Sequence, residues 1–594
     1  MSNFEKLSPL LMTDFYKTIH HLAYVPKLDF LWSYWTMRKS RYENLEKGVV
    51  FGHQATFKKY LIEDFNEKFF NRPLEDVVNE YKRFISNTMS VQASDTTEIE
   101  KLHKLGYLPI RIRALPEGTL ANIKTPVYEF TNTVKGYGWL VNYLETYLSV
   151  NIWHPINSAT VAWRYRQAVN DYFNKTVSPI AVKKIVNGTE INYFTNTLNA
   201  VPSSACGDFS MRGMTSIEGA AKSSAAHLLS FTGTATIGAI PWLEEYYHCN
   251  CEKEVIGKGV PSTEHSVMSS YGKDGEFECY RHLIEDVFKN GPLSIVSDTY
   301  DYWNVLTNFL PKLKNSIMNR DGKIIIRGDS GDPCDILCGT LKGSDYLTVD
   351  GLTEDGIKNY FKNIAEETYP WNGTYESYYK VRIGNYLYDV TCYHEWTSGE
   401  DEYEEGYYTD TVEEVSFKKT EITTEMKGTV EILWEIFGGY INDKGYKVLN
   451  EHIGTIYGDA ITYERLHDIY KRLADKGFAV NCVTLGIGSF TYQYNTRDSL
   501  GQALKATNAI VDGKEMHIFK DPITDKIKGN NFKKSQKGIC HVFKDENGDI
   551  VYTDEHSYKD AFQDELLEVV FENSKMIKEY SLKEIRDRLH EGKF

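Results

Sequence analysis

Apolar residues in this chain come in short blocks that stop abruptly on polar tips. Leu293-Ser294-Ile295-Val296-Ser297-Asp298, Ile324-Ile325-Ile326-Arg327-Gly328-Asp329, Ile453 to Gly458-Asp459 and Phe478 to Gly488 each read as a buried β-strand that ends on charge or glycine. Helical spacing follows, which predicts strand, polar tip and helix at 290–310, 324–333, 453–472 and 480–505. Such a rhythm belongs to an α/β barrel or a doubly wound sheet, where ligands bind at the C-terminal ends of strands.

Ahead of these units the pattern is mixed. Leu10 to Lys17 predicts a loop or strand end, then a helix capped by Thr13 or Asp14. Phe30 to Trp35 predicts a strand that carries the chain to Arg38, and 50–105 has helical spacing with Phe57, Tyr60, Leu61 and Phe65 as core. Residues 108–130 alternate as β-structure around the turn Pro116-Glu117-Gly118. Trp139-Leu140 begins a long helix, and Ser158 to Tyr172 reads as another. Asp208-Phe209-Ser210-Met211-Arg212-Gly213 then places an acid, an aromatic and an arginine beside a glycine, ahead of a helix of small residues from Gly219 to His227.

One block breaks the rhythm. Between about 336 and 425 lie a helix from Glu354 to Glu367 and a hairpin that turns at Gly384-Asn385. Residues 400–414 hold eight acids and no base, which predicts a solvated loop. The expected organisation is a mixed α+β N-terminal domain at 1–150, a catalytic α/β barrel at 151–335 and 426–594, and an inserted α/β-hairpin subdomain at 336–425. The N-terminal domain is expected to be able to share strands with the C-terminal end.

Composition narrows the partners. The 594 residues carry a formal charge of −16 and no Lys/Arg-rich block, so the basic face that nucleic acid needs is not visible. No apolar run approaches a membrane span, and Met1 to Lys6 lacks the order of a signal peptide, so a soluble, cytoplasmic protein is expected. Nine cysteines are scattered in no disulfide framework, and His248-Cys249-Asn250-Cys251 lacks a second ligand pair for zinc.

Late in the chain Arg497, Lys505 and Lys520, with Lys528, Lys533, Lys534 and Lys537 beyond, stand near the glycine-bearing loop Gly486-Ile487-Gly488. Fixed cations beside such a loop suit a pyrophosphate, while acidic tips at Asp298, Asp329 and Asp459 suit sugar hydroxyls, a divalent ion or a developing positive charge. Together they point to an anionic sugar phosphate.

The order of motifs resembles the nicotinamide phosphoribosyltransferases over nearly the whole length. The resemblance rests on Thr13-Asp14-Phe15-Tyr16-Lys17, Leu108-Pro109-Ile110, Trp139-Leu140 with Glu145-Thr146, Asp208-Phe209 with Arg212-Gly213, Glu264-His265-Ser266, Val296-Ser297-Asp298 with Tyr300-Asp301, Ile325 to Gly331, Gly458-Asp459, Thr496-Arg497-Asp498 and Phe519-Lys520-Asp521-Pro522. It implies a type II phosphoribosyltransferase fold, an irregular α/β barrel assembled as a homodimer with shared active sites. Phe209 and the partner's Tyr16 would sandwich a pyridine ring in a pocket lined by Asp208, Arg212, Ala235 and Asp298. Arg327 and Asp329 would hold ribose and ring, with Gly458 and Asp459 beside the ribose. Arg38, Gly488, Ser489, Arg497, Lys505, Lys520 and Lys533 would bind phosphates. His265 matches the histidine that the family phosphorylates with ATP, and Mg²⁺ would come with the pyrophosphate of the ribosyl donor.

Two departures fall at recognition positions. Ala235 stands where the family has an aspartate that accepts from the nicotinamide amide, which opens the site to nicotinic acid. Ser489, Phe490 and Ala503 alter the phosphate loop, and the aromatic Phe490 raises an ADP-ribose pyrophosphate donor, which would form NAD directly. A non-catalytic nicotinamide-binding relative is the remaining alternative, against which the retained Arg212, His265, Asp298, Arg327, Asp329, Arg497, Lys505 and Lys520 stand.

Overall fold

The strand Leu28–Met37 alternates buried and half-buried residues before running into five consecutive buried ones, and it lies inside the sheet between the strands 502–511 and 126–132. This computed structural model describes the chain apart from residues 1–3, 179–180, 187–188, 195–202, 364–372, 401–405, 459, 524–533 and 592–594, with side chains also left aside at 179–202 and 396–409. Two units emerge, one formed by 1–170, 199–259 and 487–594 and the other by 171–198 and 260–486.

The first unit is organised by a seven-stranded antiparallel sheet in the order 514–517, 502–511, 28–37, 126–132, 110–114, 568–572, 575–576. N- and C-terminal segments therefore share one sheet. Helices at Leu74–Thr88 and Thr97–Leu105 cover it, and Phe57, Leu61, Phe65 and Phe69 are fully buried in the same core as Trp35 and Tyr128. Each such side chain contributes about 1.5–3 kcal/mol by leaving water.

The second unit contains four parallel strands in the order Leu293–Val296, Ile324–Gly328, Ile453–Tyr457, Val483–Ile487. Ile295, Ile324, Ile326 and Ile453 are fully buried, as expected of strands covered on both faces. Amphipathic helices Leu310–Met318, Thr429–Phe437 and Tyr463–Asp475 supply the connections. The strand, tip and helix units at 290–310, 324–333 and 453–472 are therefore found as read.

Three expectations are corrected. Ser158 to Tyr172 is no separate helix but the middle of Glu145–Thr176, which passes through Pro155 because Ile152, Ile156 and Ala159 bury one continuous face. After Val483–Ile487 comes only the four-residue helix Ser489–Tyr492, and the chain then enters the strand Gln502–Val511, whose pairing with Leu28–Met37 overrides the helical spacing. The segment after Asp14 is a 3₁₀ turn, Phe15–Ile19, leading into the short helix His20–Ala23, and the Asp14 carboxylate accepts from Thr146 Oγ1 at 2.7 Å instead of capping it. The expected acidic loop falls in large part on 401–405, outside the described residues, and on either side of it Tyr386–Glu400 and Gly406–Glu421 are paired strands.

Those strands belong to the inserted block, a three-stranded antiparallel sheet in the order 373–383, 386–400, 406–421. Its hairpin turns at Gly384-Asn385 between paired Ile383 and Tyr386, with Gly384 at φ 58°. Ile357, Phe361, Val381, Tyr388, Val390, Cys392 and Val415 give it a small core of its own. The block leaves and rejoins the second unit through a neck of two glycines. Gly339 (φ 79°) would place a Cβ 2.2 Å from Met426 O, and Gly428 (φ 80°) would place one 2.1 Å from Gly339 N. Neither a left-handed conformation nor that contact admits a side chain. Gly339→Ala is expected to destabilise the second unit by about 2 kcal/mol or more, read as a lower urea midpoint at unchanged slope.

Candidate active site

Parallel pairing sets the strand tips of the second unit level with one another. Val296 pairs with Arg327, Arg327 with Ile456, and Gly328 with Tyr457, so the three chains turn away from the sheet together. Asp298 follows the first strand and takes two donors from the second, Asp329 N at 3.0 Å and Ser330 Oγ at 2.6 Å. Its other oxygen, Oδ1, is buried without a hydrogen-bond partner, as is Arg327 Nε. Buried polar atoms left open at a strand tip are what a bound polar ligand would satisfy.

His265 opens the short helix His265–Ser269 and brings its ring to the same tips. Nδ1 lies 3.0 Å from Thr299 Oγ1, and Nε2 lies 3.7 Å from Asp329 Oδ2 and 3.9 Å from Asp298 Oδ1. The ring is about half exposed at 48%. Glu264 is tied locally by the Ser266 hydroxyl. Tyr457 donates to Gly331 O at 2.9 Å, and its ring packs closely over Gly328, where a Cβ would meet it at 3.1 Å. Thus His265, Asp298 and Asp329 converge beside the Arg327 tip, and Gly458 follows the neighbouring strand Ile453–Tyr457, whereas Asp459 lies outside the described residues.

In the first unit a second group forms around the strand Cys206–Asp208. Asp208 is fully buried; Oδ1 accepts from Ser210 N and Oδ2 from Thr236 Oγ1, each at 3.0 Å, while its carbonyl accepts from Ala235 N at 2.8 Å. The acid therefore clamps the 208–213 and 234–236 loops together, leaving Ala235 and Arg212 exposed and Phe209 half-buried. Phe209 N donates to Ile487 O at 2.9 Å, and a Cβ on Gly213 would lie 2.1 Å from Ser489 Oγ, so the Arg212-Gly213 and Gly488-Ser489 loops are packed on each other. No atom lies within 4 Å of a Cβ built on Gly488, which leaves open space above that loop. Phe490 is 61% exposed and stacks on Tyr494 at 5.2 Å, an aromatic surface next to it.

The predicted phosphate ligands form a third group, also in the first unit. Lys505 sits opposite Tyr34 on paired strands, and Arg38 ends one of them, its Nε donating to Gly501 O at 2.8 Å. Burial lowers the Lys505 pKa, with Arg38, Lys17 and Lys520 adding to the shift and Glu145 opposing it. Burial likewise lowers Arg38, with Arg497 pushing the same way. Cations that depress one another in this way stand close together, an arrangement chemically suited to an anion. Glu145 is the counterweight, 2.7 Å from Lys17 Nζ and 3.7 Å from Lys505 Nζ. Tyr16 is 56% exposed and makes an edge contact with His20. Lys533 lies outside the described residues.

Sequence reasoning missed Thr299, Ser330, Tyr457 and Glu145 as members of these groups. Ser330 and Tyr457 lay inside segments already singled out, but Thr299 carries no signal beyond following Asp298. No set of three or more His, Cys, Asp and Glu among the described residues is placed to hold a metal ion.

The fold and these three groups define a phosphoribosyltransferase-type architecture, and comparison with known proteins gives the family. The nicotinate phosphoribosyltransferase (NAPRTase) family model matches residues 204–369 and 408–575. The chain is 36% identical to nicotinamide phosphoribosyltransferase of Acinetobacter baylyi, covering 98% of this chain and 97% of that one. It is 30% identical to nicotinamide phosphoribosyltransferase of Mycoplasma pneumoniae, over 88% and 94% of the two chains. The crystal structure of nicotinate-nucleotide pyrophosphorylase from Pyrococcus furiosus shares the fold at a TM-score of 0.51 and 13% identity, covering 100% of this chain and 96% of that one. The chain belongs to the nicotinate phosphoribosyltransferase family.

One acid beside the tips tests their electrostatics. Glu276 begins the helix Glu276–His282, and its Oε1 is buried without a partner. Burial, with Asp301 adding, pushes its pKa up from 4.5 to about 7. The unfolded chain gives up this proton at lower pH than the folded one, so stability falls as pH rises from the ordinary carboxylate range through about 7. Glu276→Gln should therefore melt at a higher temperature than the parent at pH 8, and the difference should vanish at pH 4.5, as scanning calorimetry can check.

Proposed function

We propose that this protein transfers the phosphoribosyl group of a ribose 1-pyrophosphate donor to the ring nitrogen of nicotinamide, forming nicotinamide mononucleotide and pyrophosphate in NAD salvage. The observation that carries the reading is the convergence of His265, Asp298, Arg327 and Asp329 at neighbouring strand tips, in a chain whose relatives over nearly its full length are named for this reaction.

The chemistry follows from the groups. Arg38, Arg497, Lys505 and Lys520 would neutralise the 5′-phosphate and the departing pyrophosphate. As the bond from C1 of the ribose lengthens, positive charge grows on the ring oxygen and C1, and the Asp329 carboxylate is the group proposed to stabilise it. Asp298, held by Asp329 N and Ser330 Oγ, keeps that loop in place and retains one open oxygen for a sugar or ring donor. Phe209 would stack on the pyridine ring, with Tyr16 as the opposite face contributed by a second copy in a homodimer; the exposure of Tyr16 supports this role. Arg212, Asp208 and Ala235 border the ring, Gly458 and Asp459 the ribose, and Gly488, Ser489 and Lys533 the phosphates.

Mg²⁺ is proposed to enter on the pyrophosphate, since the described residues supply no ligand set of their own, and ATP is proposed to act through His265. Thr299 holds Nδ1, which leaves Nε2 facing the reactants. Among the described residues no helix is long and apolar enough to cross a membrane, and a cytoplasmic setting fits the substrates proposed.

Purified protein given nicotinamide and phosphoribosyl pyrophosphate should yield nicotinamide mononucleotide by mass spectrometry. Nicotinic acid and ADP-ribose pyrophosphate serve as competing substrates, and product from either one alone would overturn the assignment. Asp329→Ala should lower kcat by about 1,000-fold with the fold intact, the loss typical of one removed electrostatic group. His265→Ala should keep the basal rate and lose its stimulation by ATP; undiminished stimulation would remove His265 from that role.

A further inference from the structure

The inserted sheet contains a second polar constellation, separate from the strand tips. His394, 2% exposed, has Ser377 Oγ 2.7 Å from Nε2 and the Asp410 carboxylate oxygens 3.1 and 3.2 Å from Nδ1. Three neighbouring strands supply one residue each, Ser377 from Gly373–Ile383, His394 from Tyr386–Glu400 and Asp410 from Gly406–Glu421. Ser377 pairs with Cys392, so His394, two residues on, lies on the same face. A register shift between Tyr393 and His394 makes Val412 the partner of His394 and leaves Asp410 diagonally beside it.

Tyr375 completes the arrangement. It pairs with His394 across the strands, stacks on the imidazole at 4.3 Å and 14°, and donates its hydroxyl to Asp410 Oδ2 at 2.7 Å. The ring is therefore held by a stacked face and by a carboxylate that is itself fixed.

This set of contacts assigns the protons. A carboxylate that accepts the Tyr375 hydroxyl can only accept, so the hydrogen of the neutral imidazole resides on Nδ1 and points at Asp410. Nε2 then carries the lone pair, and the Ser377 hydroxyl donates to it. Hydroxyl, base and orienting acid stand in the order that activates a serine nucleophile. Ser377 is half-buried, whereas the Cys392 paired with it is buried in the small core. The family match stops at 369 and resumes at 408. Ser377 and His394 therefore lie in chain that the shared pattern of phosphoribosyl transfer does not include.

We propose that Ser377 is a nucleophile and that the inserted sheet is a second catalytic site, of esterase type, for small activated carboxylic esters. Ser377 Oγ forms a bond to the ester carbonyl carbon as its proton passes to His394 Nε2. The ester C–O bond breaks and the alcohol leaves with that proton. Water then attacks the acyl-serine, Nε2 takes the water proton and returns it to Ser377 Oγ, and the acid is released. Ester and water become acid and alcohol, with nothing else consumed.

The test uses the full-length protein. A fluorophosphonate probe should form a single adduct on Ser377, located by peptide mass spectrometry, and p-nitrophenyl acetate should be hydrolysed. Ser377→Ala and His394→Ala should each cut that hydrolysis by about 100-fold or more, and Asp410→Asn should cut it with the wrong imidazole tautomer as the cause. Nicotinamide mononucleotide synthesis by Ser377→Ala should stay within about twofold of the parent, which separates this proposal from the reading of the strand tips and shows that the variant folds. Two results would overturn it: no adduct on Ser377 in parent protein that binds its probe-free substrates normally, or parent-like ester hydrolysis by Ser377→Ala.

Discussion

Everything at the strand tips of the second unit depends on the parallel ladder between Leu293–Val296, Ile324–Gly328 and Ile453–Tyr457. A slip of one residue would turn each alternating side chain to the other face and carry Asp298 away from Asp329 N and Ser330 Oγ. Register is held by the apolar residues in the strands, because Ile295, Ile324, Ile326 and Ile453 have no exposed alternative. Core packing thus sets the geometry of charge. The polar residues at the tips are free to leave buried atoms open, as Asp298 Oδ1 and Arg327 Nε are, because the strands beneath them bear the cost.

Charge is handled differently in the first unit. There, antiparallel pairing of strands from opposite ends of the chain, 28–37 and 502–511, sets Lys505 near Arg38. Burial and mutual repulsion depress Lys505 and Arg38, and Glu145 offsets part of the strain through Lys17 and Lys505. An anion near these groups would relieve the same repulsion. The loop at Gly488 works by shape instead, with Gly213 kept bare to admit Ser489 and open space left above Gly488.

The inserted sheet shows how a fold accepts a long addition. Its own core, from Ile357 to Val415, stabilises it locally, and the glycine neck at 339 and 428 lets the chain leave and return at one point. Loop closure then costs little extra, since both ends are already adjacent.

The periodicity of the sequence by itself determined the parallel strands, their polar tips and the helices that follow 298 and 462, because buried strands read as unbroken apolar runs and amphipathic helices as spaced ones. Motif order determined the family and the residues to examine at the tips. Only the tertiary structure decided that the helix at 145 runs through Pro155 and that 502–511 is a strand, since each outcome depends on what packs against the segment. It alone brought Thr299 to His265 and Glu145 to Lys505, and it alone joined Ser377, His394 and Asp410. These partners lie on different elements, and no pattern along the chain records which residues will meet across a sheet; register and side-chain direction, set by packing, decide it.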